Sequence, residues 1–139
     1  PGYKKILQLF LKADNWKVIN NLAHQEYLSL LKNAACLIGN TSSGIREAPS
    51  YGVPFLNFGY RQDQRERGDN VVDLGLNENN FQKWLNPEKI AKFKSKLSKQ
   101  NPYKKRGASL SIVNCLEFTY INKFKLSDKK FVHNDIKWK

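Results

Sequence analysis

The sequence contains no methionine, only two cysteines and only two histidines in 139 residues. Cys36 and Cys115 lie in apolar stretches without CxxC or Cys/His spacing. That excludes a disulfide-stapled scaffold and a cysteine-based zinc site, and reads as two buried thiols. No metal and no cofactor is expected. No apolar run approaches the ~20 residues of a membrane span, and no leader pattern opens the chain. A membrane partner is therefore not expected, and a cytoplasmic location is. Repeats and low-complexity segments are also lacking. Acidic residues are scarce, 12 against 24 Lys and Arg, for a net charge of +12. The excess is uneven. Residues 1–70 carry nine basic and six acidic side chains, whereas 71–139 carry fifteen and six.

What is present suffices for one domain with a real core. At this length roughly two-thirds of the unfolded surface can be buried, and 40% of the residues are hydrophobic. Hydrophobic periodicity alternates between strand and helix. Strands are predicted at Trp16–Leu22, Ala35–Gly39, Pro54–Phe58 and Val71–Leu74. Helices are predicted at Gln25–Ala34, Ile45–Tyr51, Phe81–Leu85, Pro87–Leu97 and Ser109–Phe124. Such alternation predicts an α/β fold, a Rossmann-like parallel sheet covered on both faces. The domain is placed at 1–125, with a basic tail at 126–139. The chain opens on an amphipathic stretch, Tyr3–Leu11, with no strand before it, which suggests a piece of a longer protein.

Ligands of open parallel sheets bind at the carboxyl ends of the strands. Asn40-Thr41-Ser42-Ser43-Gly44 follows the second strand and opens a helix. Hydroxyls and exposed backbone N–H groups there suit phosphate, and Gly44 would let the backbone come close. The plainer reading is that Thr41, Ser42 or Ser43 caps the helix. Glu47 lies about one turn on, where a carboxylate can accept two hydrogen bonds from vicinal ribose hydroxyls or merely support the helix. Pro49 breaks the rule against proline in a helix interior, which points to function or to a short, kinked helix. The loop Gly59–Gly68 follows the third strand and carries Arg61, Arg65 and Arg67. Arginine forks match a diphosphate, although a charged loop can simply be solvated. Arg61, nearest the strand, is the candidate contact, and Arg67 is expected to be a solvated loop charge.

These residues carry a family resemblance. Leu37-Ile38-Gly39-Asn40-Thr41-Ser42-Ser43-Gly44-Ile45-Arg46-Glu47-Ala48-Pro49 resembles the signature of the UDP-N-acetylglucosamine 2-epimerases. Gly52-Val53-Pro54, Asn57–Gln62, Arg65 and Asn70-Val71-Val72 continue it, and Asn101-Pro102-Tyr103 with Gly107-Ala108-Ser109 resembles its closing segment. Arg61-Gln62 with Arg65 is similar to the hydrolysing branch, which feeds sialic-acid-like sugars.

The resemblance implies the C-terminal half of a B-type glycosyltransferase fold. It implies that Thr41 and Ser42 meet the diphosphate, Glu47 the ribose, Arg61 the UDP, and the backbone of Asn20, Asn21 and Leu22 the uracil, with Ser43 and Gly44 counted in the same UDP site. The implied reaction converts UDP-N-acetylglucosamine to N-acetylmannosamine and UDP. The family's acid/base carboxylates and a UDP-binding histidine belong to motifs absent from this chain, which His24 and His133 do not match. No catalytic residue is therefore assigned. The chain alone is expected to be inactive, completed by a missing N-terminal domain and homo-oligomeric as the full enzyme. Lys104-Lys105-Arg106 departs from the Gly-Asp-Gly character of the closing segment, and Thr41 replaces a serine.

Two other classes compete. A nucleotide-sugar glycosyltransferase of the same fold would share the serine-rich turn and the glutamate. A non-catalytic nucleotide-sugar sensor, or a nucleic-acid binder using Lys92, Lys94, Lys96, Lys99, Lys104, Lys105 and Arg106, would account for the charge. Charge is the only nucleic-acid-binding feature present, so nucleic acid is not an expected partner.

Overall fold

A computed structural model describes Gln8 and residues 16–121. The Tyr3–Leu11 stretch, Gln8 apart, and the tail beyond Ile121 lie outside the described residues. The chain divides at Lys104/Lys105 into two compact units.

In the first unit, α1 (His24–Asn33) leads to β1 (Leu37–Gly39), then to two short helices, α2 (Ser43–Arg46) and α3 (Ala48–Tyr51). Next come β2 (Phe55–Phe58), β3 (Val71–Gly75), α4 (Glu78–Trp84) and α5 (Pro87–Lys94). Among the described residues the strands form one parallel sheet in the order β1-β2-β3. Leu37 stands opposite Phe55, and Phe55 opposite Val71. The central strand reads as an unbroken buried run, Phe55-Leu56-Asn57, as a parallel strand covered on both faces should.

The expected strand at Trp16–Leu22 does not form. Three of its four apolar residues, Trp16, Val18 and Ile19, are exposed, and Lys17 interrupts them. A strand buried on both faces needs a near-continuous apolar run, and this segment has none. The other expected strands are present with small shifts at their ends.

Helix α1 starts after Ala23, whose N–H donates to the Glu26 carboxylate at 3.0 Å. Leu31, one turn after Tyr27, buries against Ala48 and Val53, with Tyr27, Ala34, Leu37 and Tyr51 around them. Burying a leucine is worth about 1.5–3 kcal/mol, and this cluster seats α1 beside α3. In α5, Pro87 takes the first turn, where its missing N–H costs nothing, while the Asn86 side chain accepts from the N–H groups of Glu88 and Lys89. The α-helix ends at Lys94, short of the expected Leu97. The next turn tightens into i→i+3 bonds, Lys96 to Phe93 and Leu97 to Lys94. Helix α4 begins before the expected Phe81 because Asn77 caps it. Edge-on ring contacts join Phe58 to Phe81 and Trp84 to Phe93.

The second unit contains α6 (Ala108–Ile121). Its apolar residues are distributed around the helix rather than along the single expected row of Val113, Leu116 and Tyr120, and none of its residues is buried. Cys115 on α6 is exposed and Cys36 half-buried, so the two thiols are not the buried pair that composition suggested. Among the described residues no helix is long and apolar enough to cross a membrane, and no cluster suited to a metal ion occurs.

Candidate functional site

Because the sheet is parallel, the loops after β1 and β2 emerge at the same edge. The first is Asn40-Thr41-Ser42. The second, Gly59–Asn70, is the crossover from β2 to β3. A parallel pair needs a crossover of about a dozen residues or more, usually a helix; here it contains no regular element. The two loops meet directly. The side-chain amide of Gln62, 1% exposed, donates from Nε2 to the Asn40 carbonyl at 2.5 Å.

In the first loop, the Thr41 hydroxyl accepts from the Ser43 N–H at 3.2 Å, so Thr41 performs the capping role that the plainer reading allowed. The Ser43 hydroxyl lies 2.5 Å from the Tyr27 hydroxyl. That bond brings the first turn of α1 to the same place, and exposed Asn21 and half-buried Leu22 lead into that turn. The Ser42 side chain caps nothing.

Gly44 serves packing. A Cβ built there would lie 2.2–2.4 Å from ring carbons of Phe55, so only hydrogen fits between α2 and the central strand. Its carbonyl and that of Val53 both accept, at 3.0 Å, from Nδ2 of the fully buried Asn70.

Glu47 marks the break between α2 and α3, with φ −100° and ψ −47°, rather than the interior of one helix. Pro49 therefore sits in the first turn of α3, where proline is tolerated, and its apparent violation resolves into a kink. The half-buried Glu47 makes no side-chain cap hydrogen bond. Gly52 ends α3 in the left-handed conformation at φ +62°, a role glycine fills without strain.

Arg61 and Arg67 behave oppositely. Arg61 is exposed, with no hydrogen bond or ion pair among the described residues. Arg67 is not the solvated charge expected of it. It donates to Asp73, to the Gln62 carbonyl at 2.8 Å and to the Arg65 carbonyl at 3.3 Å, and stands 3.6 Å from Asp63. Its carboxylate partner is set by the sheet: Asp73 lies on β3 and also accepts from Asn57 of β2 at 2.6 Å. Gly68, next in the chain, is itself tucked against Asn70, Gln100 and Pro49.

The contacts of Gln62, Asn70 and Tyr27 and the Asp73–Arg67 pair were not foreseen in the sequence. Polar side chains in polar loops give no sign of burial, and only the strand register brings their partners to them.

Residues 1–117 match the UDP-N-acetylglucosamine 2-epimerase family. This chain belongs to that family. It is similar to the polysialic acid biosynthesis protein P7 of Escherichia coli, 33% identical over 80% of this chain and 29% of that protein. It is also similar to a hydrolysing GDP/UDP-N,N'-diacetylbacillosamine 2-epimerase of Campylobacter jejuni, 42% identical over 53% of this chain and 20% of the relative. A UDP-N-acetylglucosamine 2-epimerase of Neisseria meningitidis is 38% identical over 58% of this chain and 22% of its own length. The epimerase-family chain thus spans less than a third of these relatives. Its open parallel α/β sheet is consistent with the family fold.

Proposed function

We propose that this chain forms the UDP-binding surface of a hydrolysing UDP-N-acetylglucosamine 2-epimerase, and that residues outside it supply the acid/base chemistry. One observation carries the reading. In the first loop, at the α2–α3 break and in the crossover loop, the side chains of Ser42, Glu47 and Arg61 have no partner among the described residues, while their neighbours are tied down. A hydroxyl, a carboxylate and a guanidinium left without protein partners match the parts of a nucleoside diphosphate.

In this reading Arg61 neutralises the diphosphate with its fork of donors. Thr41 and Ser42 donate hydroxyl protons to phosphate oxygens, and Ser43, oriented by Tyr27, completes that rim. The Glu47 carboxylate accepts from the two ribose hydroxyls, and the backbone at Asn21 and Leu22 lines the uracil. Gly44 takes part by letting the loop lie against β2, more than by admitting the phosphate. Donors fixed in advance stabilise the charge that develops on departing UDP, the electrostatic share of catalysis. A UDP-sugar substrate, a second domain, homo-oligomeric assembly and a cytoplasmic location belong to the same reading. So does the division into a nucleotide-binding domain at 1–125 and a basic tail at 126–139. The sugar nucleotide is one whose product enters sialic-acid-like polymers, in keeping with the name of the Escherichia coli relative.

Calorimetric titration with UDP, alongside an assay for UDP released from UDP-N-acetylglucosamine, tests the proposal. Weak, saturable UDP binding with no turnover is expected. Absence of binding refutes the UDP surface, and clear turnover by this chain alone refutes the division of labour.

A further inference from the structure

Gln62 stands next to Arg61 in the crossover loop and is held twice. Its side-chain Nε2 donates to the Asn40 carbonyl at 2.5 Å, and its own carbonyl accepts from Arg67 Nη2 at 2.8 Å. Arg67 in turn is fastened to Asp73 on β3. The crossover is thereby anchored on one side to the end of β1 and on the other to β3, with exposed Arg61 immediately before the anchor. The amide orientation is unambiguous, because turning it round would set two oxygens against each other. Its Oε1 is buried and has no donor.

A buried acceptor without a donor carries the cost of its lost hydration. Removing the whole amide relieves that penalty but leaves the Asn40 carbonyl unsatisfied in its place, so the net change is the loss of the one hydrogen bond that joins the two loops. What the amide does provide is a fixed distance between the two loops.

We propose that Gln62 is a positioning residue, whose buried amide locks the arginine loop to the end of β1 and so sets where Arg61 stands for an incoming diphosphate. The inference rests on the UDP-binding reading for its ligand, but the lock itself is a property of the free protein. Ordering the loop in advance removes an entropic cost that a free arginine would meet on binding.

Two measurements on the full chain separate lock from ligand. The first is hydrogen–deuterium exchange without nucleotide. In Gln62→Leu, which puts an apolar side chain of similar volume in its place, amides of Asn40–Gly44 and Gly59–Gly68 should both exchange about tenfold faster, as loss of roughly 1.4 kcal/mol of local stability requires. Helix α5 should be unchanged. Unaltered exchange in the two loops overturns the lock. The second is UDP affinity in a double-mutant cycle with Arg61→Ala. Gln62→Leu should weaken UDP about tenfold in the parent and about twofold or less when Arg61 is already gone. An equal loss in both backgrounds means that Gln62 acts through general damage and overturns the positioning role. If the parent binds no UDP, the nucleotide reading falls, and the exchange experiment still decides the lock. Should Gln62→Leu lower the melting temperature by more than a few degrees, Gln62→Met, unbranched and of equal length, is read in the same two ways.

Discussion

Replacing Gly44 by alanine tests whether this glycine serves packing or ligand approach. The added Cβ would lie 2.2 Å from Phe55 Cγ and 2.3 and 2.4 Å from its two δ carbons. Ordinary carbon contacts lie at about 3.5–4.0 Å, so ring and helix must separate by more than an ångström. Neither yields readily. Phe55 is wholly buried, and its strand is bonded on both sides, to β1 and to β3. Overpacking of this kind costs about 1–3 kcal/mol and occasionally more, and a clash with a buried ring belongs at the upper end. Alanine recovers at most about 1 kcal/mol of helix propensity. The net expectation is a loss of about 2–3 kcal/mol, or roughly 10 °C in melting temperature for a chain of this size. Urea titration followed by tryptophan fluorescence should show a lower midpoint at constant slope. Adding Phe55→Leu to Gly44→Ala should restore part of the loss, with a coupling of about 1 kcal/mol or more. If Gly44→Ala unfolds like the parent while UDP binding weakens, the packing argument is wrong and the glycine is needed by the ligand.

Other outcomes follow from the same geometry. Glu47→Gln keeps the size but not the charge, and should weaken UDP by about 1.5–3 kcal/mol with little change in melting temperature, read by titration calorimetry and thermal melts. Gln64 is exposed with φ +63°; a left-handed residue costs about 1–2 kcal/mol, of which glycine's greater freedom when unfolded takes back roughly half, so Gln64→Gly should stabilise by about 0.5–1 kcal/mol in urea titration. Burial pushes the Cys36 thiol above its ordinary range, against a smaller lowering by Lys94. The folded protein then keeps a proton that the unfolded chain releases, so this contribution is intact below the ordinary thiol range, about 8.5, and lost as pH rises past it. Cys36→Ala should flatten the alkaline fall in stability, and Lys94→Ala should slow thiol alkylation of the folded protein.

The parallel sheet was legible because β1, β2 and β3 are short, apolar and bounded by glycine, proline and asparagine. The loops of the candidate site were legible for the same reason, since strand ends in a parallel sheet share an edge. Trp16–Leu22 misled because alternation with Lys17 imitates a half-exposed strand, while Trp16, Val18 and Ile19 are left exposed. Pro49 signalled the kink at Glu47 correctly, but the sequence could not say whether its cause was function or helix length. The packing of Gly44 and the anchoring of Arg67 were not legible. The partner of Gly44 lies across the layer in Phe55, and that of Arg67 lies on the next strand in Asp73. Both contacts are tertiary, and no local pattern encodes them.

The crossover from β2 to β3 has a consequence for how this protein can change in length. Surface loops ordinarily accept inserted residues at small entropic expense. Gly59–Asn70 is a loop by conformation, yet Gln62, Arg67 and Asn70 fasten it to β1, to β3 and to the carbonyls of Gly44 and Val53. An insertion before Gln62 would displace Arg61 from β1, and one between Arg67 and Asn70 would pull the third strand out of register. Only the exposed tip, Asp63-Gln64-Arg65-Glu66, lies between fixed points. Additional sequence, whether arising by drift or grafted by design, is accommodated there and nowhere else in the crossover.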